Sequence, residues 1–230
     1  MHRRPHVGLA GIAILGLVAL SIVGSRLAGA ASPRSGQLAR TPAPVPSDSE
    51  RIATFAGGCF WSMQKAFDGV PGVVSTTAGF AGGTKAKPSY EQVSDGGTGH
   101  AESVQLIYDP ARISYERLLD IYWHHIDPLT VNAAFCDHGA QYRSIIFYHD
   151  AEQQRLAEAS KRALDQSHRF STPIVTAVQP ATPFYPAEDY HQQFYKKNPA
   201  RYEAYRIGCG RDQRIRELWG DLAVSKGAGQ

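Results

Sequence analysis

Beyond residue 50 the pattern of apolar and polar positions resolves into short alternating elements. Residues 52–56 form an apolar run that ends at Gly57-Gly58, and Phe60, Met63 and Phe67 then recur at helical spacing, which predicts strand, tight glycine turn and helix. The β-branched run 73–80 predicts a strand, followed by a Gly, Lys and Pro loop over 82–88. Residues 103–108 alternate as a strand that Asp109-Pro110 stops. Ser114 can cap a helix reaching about His125, with Leu118, Ile121, Tyr122 and His125 on one face. A long loop is expected over 127–141 and a strand over 144–148. Asp150 and Gln153 pair as N-cap and N3 of a helix through Gln166. A strand over 174–178, a short helix over 187–195 and another over 212–219 complete the pattern. The elements interleave without regular βαβ units. The fold class is therefore α+β, a single domain with a mixed, mainly antiparallel sheet and surrounding helices.

The first 50 residues read differently. Arg3 and Arg4 precede an uncharged apolar run over 7–25, and small residues follow at 28–31, so residues 1–30 have the layout of an export signal with Ala28-Gly29-Ala30 at the cleavage position. An uncleaved membrane anchor fits the same run. Residues 31–50 are rich in Pro and Ser and hold no aromatic side chain, which predicts a linker, with the folded body over 51–220 and a flexible tail over 221–230. The expected location is outside the cytoplasm, periplasmic or tethered to the outer face of the membrane. Five arginines against Asp48 and Glu50 put the whole net charge of +3 in this leader, so the body is neutral and a nucleic-acid partner loses its electrostatic basis. The chain is expected to be a monomer, touching membrane only through the N-terminal segment.

Composition changes little: 43% hydrophobic and 20% charged residues suit a folded protein of 230 residues. Three cysteines cannot form a disulfide scaffold, and at least one thiol stays unpaired within the chain. Cys59, after the glycine turn and at a helix start, faces unpaired backbone N–H groups and the positive end of a helix dipole. Both favour a thiolate and mark Cys59 as a nucleophile. Phe60 and Trp61 beside it can wall an apolar pocket for a methyl-bearing group. Glu102, at a strand entry, would donate a proton at neutral pH if buried. Tyr90, Asp137 and Tyr142 read by themselves as an edge aromatic and a capped turn. No C-x-x-C, H-E-x-x-H or zinc-spaced ligand set occurs, so no metal is expected.

Six stretches occur in order: Gly57-Gly58-Cys59-Phe60-Trp61, Gly79-Phe80-Ala81-Gly82-Gly83, Gly99-His100-Ala101-Glu102, Tyr108-Asp109-Pro110, Gln141-Tyr142-Arg143-Ser144, and Ala187-Glu188-Asp189-Tyr190-His191-Gln192. With these the body resembles the peptide methionine sulfoxide reductase A family. The resemblance implies reduction of the S epimer of methionine sulfoxide, protein-bound or free, without cofactor or metal. It places the nucleophile on Cys59 and the methyl pocket on Phe60 and Trp61. The proton donor falls on Glu102, aided by Tyr90 and Tyr142, and the substrate-orienting carboxylate on Asp137. It further implies a sulfenic acid on Cys59, then a disulfide with a resolving cysteine, then reduction by a thioredoxin-like dithiol protein. Cys209, between Gly208 and Gly210, is favoured as the resolving thiol, with Cys136 the alternative.

Three departures stand out: Gln64 where the family often has Glu, Phe80 and Phe194 where Tyr is usual, and a C-terminus without the glycine-rich, two-cysteine tail. Two other classes compete. A cysteine hydrolase or acyltransferase would need His100 or His191 to orient Cys59, and an exported non-catalytic binding module would leave Cys59 inert.

Overall fold

The computed structural model describes residues 38–220. The expected signal or anchor, residues 1–30, and the tail 221–230 lie outside the described residues. Among the described residues no helix is long and apolar enough to cross a membrane.

The centre is β1, Arg51–Ala56, flanked by β3, Ala101–Tyr108, and β6, Ile145–Tyr148. Outside β3 lie β2, Val73–Ala81, and β8, Tyr185–Pro186; outside β6 lies β7, Ala177–Pro180. Every pairing in this six-stranded sheet is antiparallel except β6 with β7. The inner strands are covered on both faces, which is why they read as near-continuous apolar runs. One face carries Phe55, stacked on Phe67, Tyr115 and Tyr122, beneath α1, Phe60–Phe67, and α3, Tyr115–Trp123. Around the other face Ala56, Ala81, Ala101, Ile145 and Phe147 cluster.

The caps work as the sequence predicts. Ser114 accepts from Arg117 N–H at 3.2 Å at the start of α3, and Asp150 from Gln153 N–H at 2.8 Å at the start of α4, Ala151–Gln166. Gln153 does not close a reciprocal box; its amide oxygen takes the N–H of His149 and its amide nitrogen donates to Ile52 C=O, tying α4 to β1.

Four local expectations need correction. Ser89 and Gln92 form a capping box that starts α2, Tyr90–Ser94, so Tyr90 stands on a helix rather than a strand edge. The loop over 127–141 contains a small hairpin, β4, Ala133–Ala134, with β5, Asp137–His138. Over 187–195 the chain makes turns, with helix only in α5, Phe194–Lys197, because Gln193 has φ 51°. A further helix, α6, Pro199–Gly208, precedes α7, Arg211–Trp219; with only Tyr202 buried on it, α6 lacks the apolar stripe that betrays a helix. Helix α7 is anchored by Trp219, whose indole N–H reaches Ile126 C=O at 3.1 Å, and by Arg169, which holds the carbonyls of Leu218 and Trp219.

Residues 38–50 belong to the region read as linker, yet they lie on the body. Thr41 N–H donates to Asp189 at 2.6 Å, and Asp189 N–H donates to Ala39 C=O at 2.9 Å. Arg40 donates to Pro88 C=O at 2.7 Å and pairs with the buried carboxylate of Glu188, which also accepts Tyr90 N–H at 3.2 Å. Arg40→Met leaves that carboxylate buried without its cation. We expect a loss of about 1–3 kcal/mol in urea unfolding, and recovery of most of it in Arg40→Met/Glu188→Gln.

Candidate active site

The turn between β1 and α1 needs both of its glycines. A Cβ on Gly57 would stand 2.4 Å from Ile126 Cγ2, and Gly58 has φ 85°. The turn sets Cys59 as the N-cap of α1. From β3, Glu102 reaches across so that its Oε2 accepts the Phe60 N–H at 3.0 Å. The residue following the thiol and the carboxyl are thus tied together at one helix end. Both groups are buried, Cys59 at 6% exposure and Glu102 at 2%.

Burial decides the electrostatics. Desolvation raises the Glu102 carboxyl to about 8, against a partial pull downward by the Phe60 N–H. At neutral pH Glu102 is mostly the acid, the state a proton donor needs. The expected depression of the Cys59 pKa is not observed. Burial pushes the thiol well up, and the charges of Glu102 and Asp137 push it further; hydrogen bonds with the Tyr205 hydroxyl and the Trp61 backbone recover only part. A helix end contributes about 0.3–1 kcal/mol, up to ~2 in buried geometries, whereas desolvating a charge costs several. The resting group is a neutral thiol.

Phe60 and Trp61 lie in a cluster of aromatic rings. Phe60 packs on Phe80, Tyr90 and His191, with ring centres 5.8, 6.2 and 5.0 Å away. Trp61 stacks on Phe194 at 3.8 Å and donates its indole N–H to His191 Nδ1 at 3.0 Å. Phe80 and Phe194 therefore serve as packing faces, which need no hydroxyl. Gln64 is buried and fixes the following chain: its amide nitrogen donates to Thr76 C=O and its oxygen accepts Gln193 N–H at 2.7 Å.

Tyr90 and Tyr142 are both raised, by burial first and then by the charge of Glu102, with Cys59 and Asp137 also acting on each. Both phenols thus stay protonated donors in the neighbourhood of Cys59. Asp137 is held by the Tyr205 hydroxyl at 2.6 Å, and burial raises it while Tyr205 and Arg211 pull it back. Tyr205 and Arg211 were not predicted; each lies on a C-terminal helix whose approach to the thiol has no local signature. Arg211 is buried, donates to Gly57 C=O and His125 C=O, and lies over the Phe135 ring at 4.1 Å.

Cys136 and Cys209 are joined in a disulfide with Cα atoms 4.9 Å apart, and Cys59 is the free thiol. Neither expected partner is bonded to Cys59. Cys209 is also not in a flexible glycine segment: it caps α6, and Gly210 at φ 62° turns the chain directly into α7.

The two histidines a hydrolase would need are engaged elsewhere. His100 accepts Gly83 N–H at 3.1 Å and its Nε2 faces Lys85 C=O at 2.8 Å. His191 accepts from Trp61, and burial lowers its pKa to about 4, so it is neutral. Among the described residues neither His100 nor His191 bonds the thiol, and with an acid tied to the next residue and a bonded cysteine pair the site is that of a thiol-dependent oxidoreductase.

A family model described as peptide methionine sulfoxide reductase matches residues 51–223. The chain is 51% identical over 174 residues to peptide methionine sulfoxide reductase MsrA of Bacillus subtilis (strain 168), covering 76% of this chain and 98% of that one. It is 50% identical over 172 residues to the protein of that name from Listeria monocytogenes serotype 4a, covering 75% and 97%. Among solved structures it resembles methionine sulfoxide reductase A of Corynebacterium diphtheriae, with TM-score 0.60 and 32% identity over 66% of this chain and 77% of that one. It also resembles reduced Mxr1 of Saccharomyces cerevisiae, with TM-score 0.61 and 30% identity over 72% and 92%. The chain belongs to the peptide methionine sulfoxide reductase A family and is a peptide-methionine (S)-S-oxide reductase.

Proposed function

We propose that the reaction runs through Cys59, with Glu102 as proton donor, Tyr90 and Tyr142 as phenolic donors to the sulfoxide oxygen, Asp137 as orienting group, and Phe60 and Trp61 around the substrate methyl. The observation that carries this reading is the neutral Glu102 carboxyl tied to the residue that follows a free thiol. Glu102 gives its proton to the sulfoxide oxygen and recovers one from the Cys59 thiol, whose sulfur attacks the sulfoxide sulfur. The S–O bond of the substrate breaks and its oxygen ends as sulfenic acid on Cys59. Methionine sulfur gains two electrons, Cys59 loses two, the proton given by Glu102 finishes on the sulfenic oxygen, and the thiol proton finishes on Glu102. A high thiol pKa is compatible with this sequence, because the proton leaves only as the acid discharges its own.

A resolving thiol then displaces water from the sulfenic acid, and the second one releases Cys59 by exchange, leaving Cys136–Cys209 for an external dithiol. Cys209 follows Tyr205 by one helical turn, and the Tyr205 hydroxyl bonds Cys59, so Cys209 is the first attacker. In Cys136→Ser treated with sulfoxide and no reductant, peptide mapping should find Cys59–Cys209; a Cys59–Cys136 bond in Cys209→Ser with none in Cys136→Ser would reverse the order. The reductant is a thioredoxin-like dithiol protein, exported as this chain is, and the substrates are oxidised proteins and free methionine sulfoxide. An assay on separated epimers tests the reading: the S form should be consumed and the R form left, and turnover of the R form would overturn it.

A further inference from the structure

The bonded cysteines have a third partner. The sulfurs of Cys136 and Cys209 and a carboxylate oxygen of Asp137 all lie within 4.8 Å of one another. Asp137 Oδ1 is 3.8 Å from the Cys136 sulfur, while Oδ2 takes the Tyr205 hydroxyl at 2.6 Å. One oxygen is thereby fixed from behind and the other turned toward the sulfurs, the arrangement by which an outer partner orients a metal ligand. We propose that opening the disulfide creates a site for a borderline divalent cation, zinc(II), held by the Cys136 and Cys209 thiolates and Asp137 Oδ1, with water as fourth ligand.

The geometry needs little movement. Tetrahedral zinc with sulfur at about 2.3 Å and oxygen at about 2.0–2.2 Å spaces its ligands roughly 3.5–3.8 Å apart. The two sulfurs must separate to that distance once their bond is gone, and their Cα atoms are already 4.9 Å apart on the β4–β5 hairpin and the α6–α7 turn. The charge is also accommodated. Two thiolates and a carboxylate exceed the ion by one negative charge, and the buried guanidinium of Arg211 acts on Asp137, with its Nη1 unpartnered among the described residues. Opening the disulfide takes two electrons and two protons from a dithiol, or two electrons from a phosphine that becomes its oxide while water supplies the protons; binding zinc then releases the two thiol protons and moves no electrons. On the reading of the site given above, the bound ion withholds both recycling thiols and Asp137, so zinc opposes turnover in the reduced protein.

The test is a zinc titration of the full chain, reduced with a phosphine and desalted without oxygen, against a chromogenic chelator. One zinc per chain should bind at least about 100-fold more tightly than to the oxidised protein, releasing about two protons. Cys209→Ser should lose most of that gain, Asp137→Asn and Tyr205→Phe should each lower affinity by about tenfold or more, and Cys59→Ser should leave it unchanged. Equal binding by oxidised and reduced wild type would overturn the proposal whatever the variants do. So would loss of binding in Cys59→Ser with retention in Cys209→Ser. Because binding is read without substrate, failure here leaves the sulfoxide chemistry standing, and inactivity toward sulfoxide leaves the zinc site standing.

Discussion

Cys59→Ser is expected to lower reduction of methionine S-sulfoxide to below about 10⁻³ of the wild-type rate while leaving the protein folded. The chemistry requires an atom that can attack sulfur, accept the oxygen and persist as a sulfenic acid. A hydroxyl is a far weaker nucleophile, and the corresponding oxygen product would be a peroxide. The fold has no reason to fail. Cys59 is the N-cap of α1 with no side-chain capping bond, and serine is among the preferred residues there, so thermal unfolding should be unchanged or slightly raised. Single-turnover formation of methionine, with the melting temperature measured alongside, separates the two effects. Appreciable activity in a folded Cys59→Ser protein would remove the thiol from the mechanism.

Glu102→Gln carries the second large effect, a fall of roughly ten- to several hundred-fold in the first turnover at neutral pH. In the wild type the acid form persists to about pH 8. The step that depends on it should be flat below that value and decline about tenfold per unit above it. Glutamine cannot ionise, so the variant should be slow without that decline. Stability adds an independent reading. The folded carboxyl holds its proton to a higher pH than the unfolded one, so its contribution is complete below the unfolded pKa near 4.5 and is lost as pH rises through about 8. Between pH 5 and 9 the wild type should therefore lose stability relative to Glu102→Gln. Parallel stability curves, or an unchanged first turnover, would show that Glu102 is not the proton donor.

How far the site was legible depends on the range of the interactions that build it. The strand, Gly57-Gly58 and Cys59 form one local unit, in which glycine conformation and helix start are set by neighbours a few residues away, and the structure reproduces it. The caps at Ser114 and Asp150 are equally local, and so were readable. The Ser89–Gln92 box that starts α2 is just as local. Helix α6 buries Tyr202 alone and has no apolar stripe, so neither the helix nor the place of Tyr205 on it has a local signature.

The linker shows the opposite case. Its composition predicts no ordered packing of its own, yet Arg40 finds Glu188 148 residues away, and that pair places part of the linker on the body. The Cys136–Cys209 bond spans 73 residues, and glycines around Cys209 suggested movement where the chain in fact makes a fixed turn between two helices.

By itself, then, the sequence determined most of the strands and helices and the glycine turn that sets Cys59 at a helix start, because caps, turns and residue chemistry act over a few positions. Only the tertiary structure decided the state of the groups: a thiol kept neutral, a carboxyl kept protonated, and two distant cysteines joined. Those are properties of burial and of contacts between remote segments, and the surroundings that remove water from Cys59 and Glu102 come from strands and helices spread along the whole body.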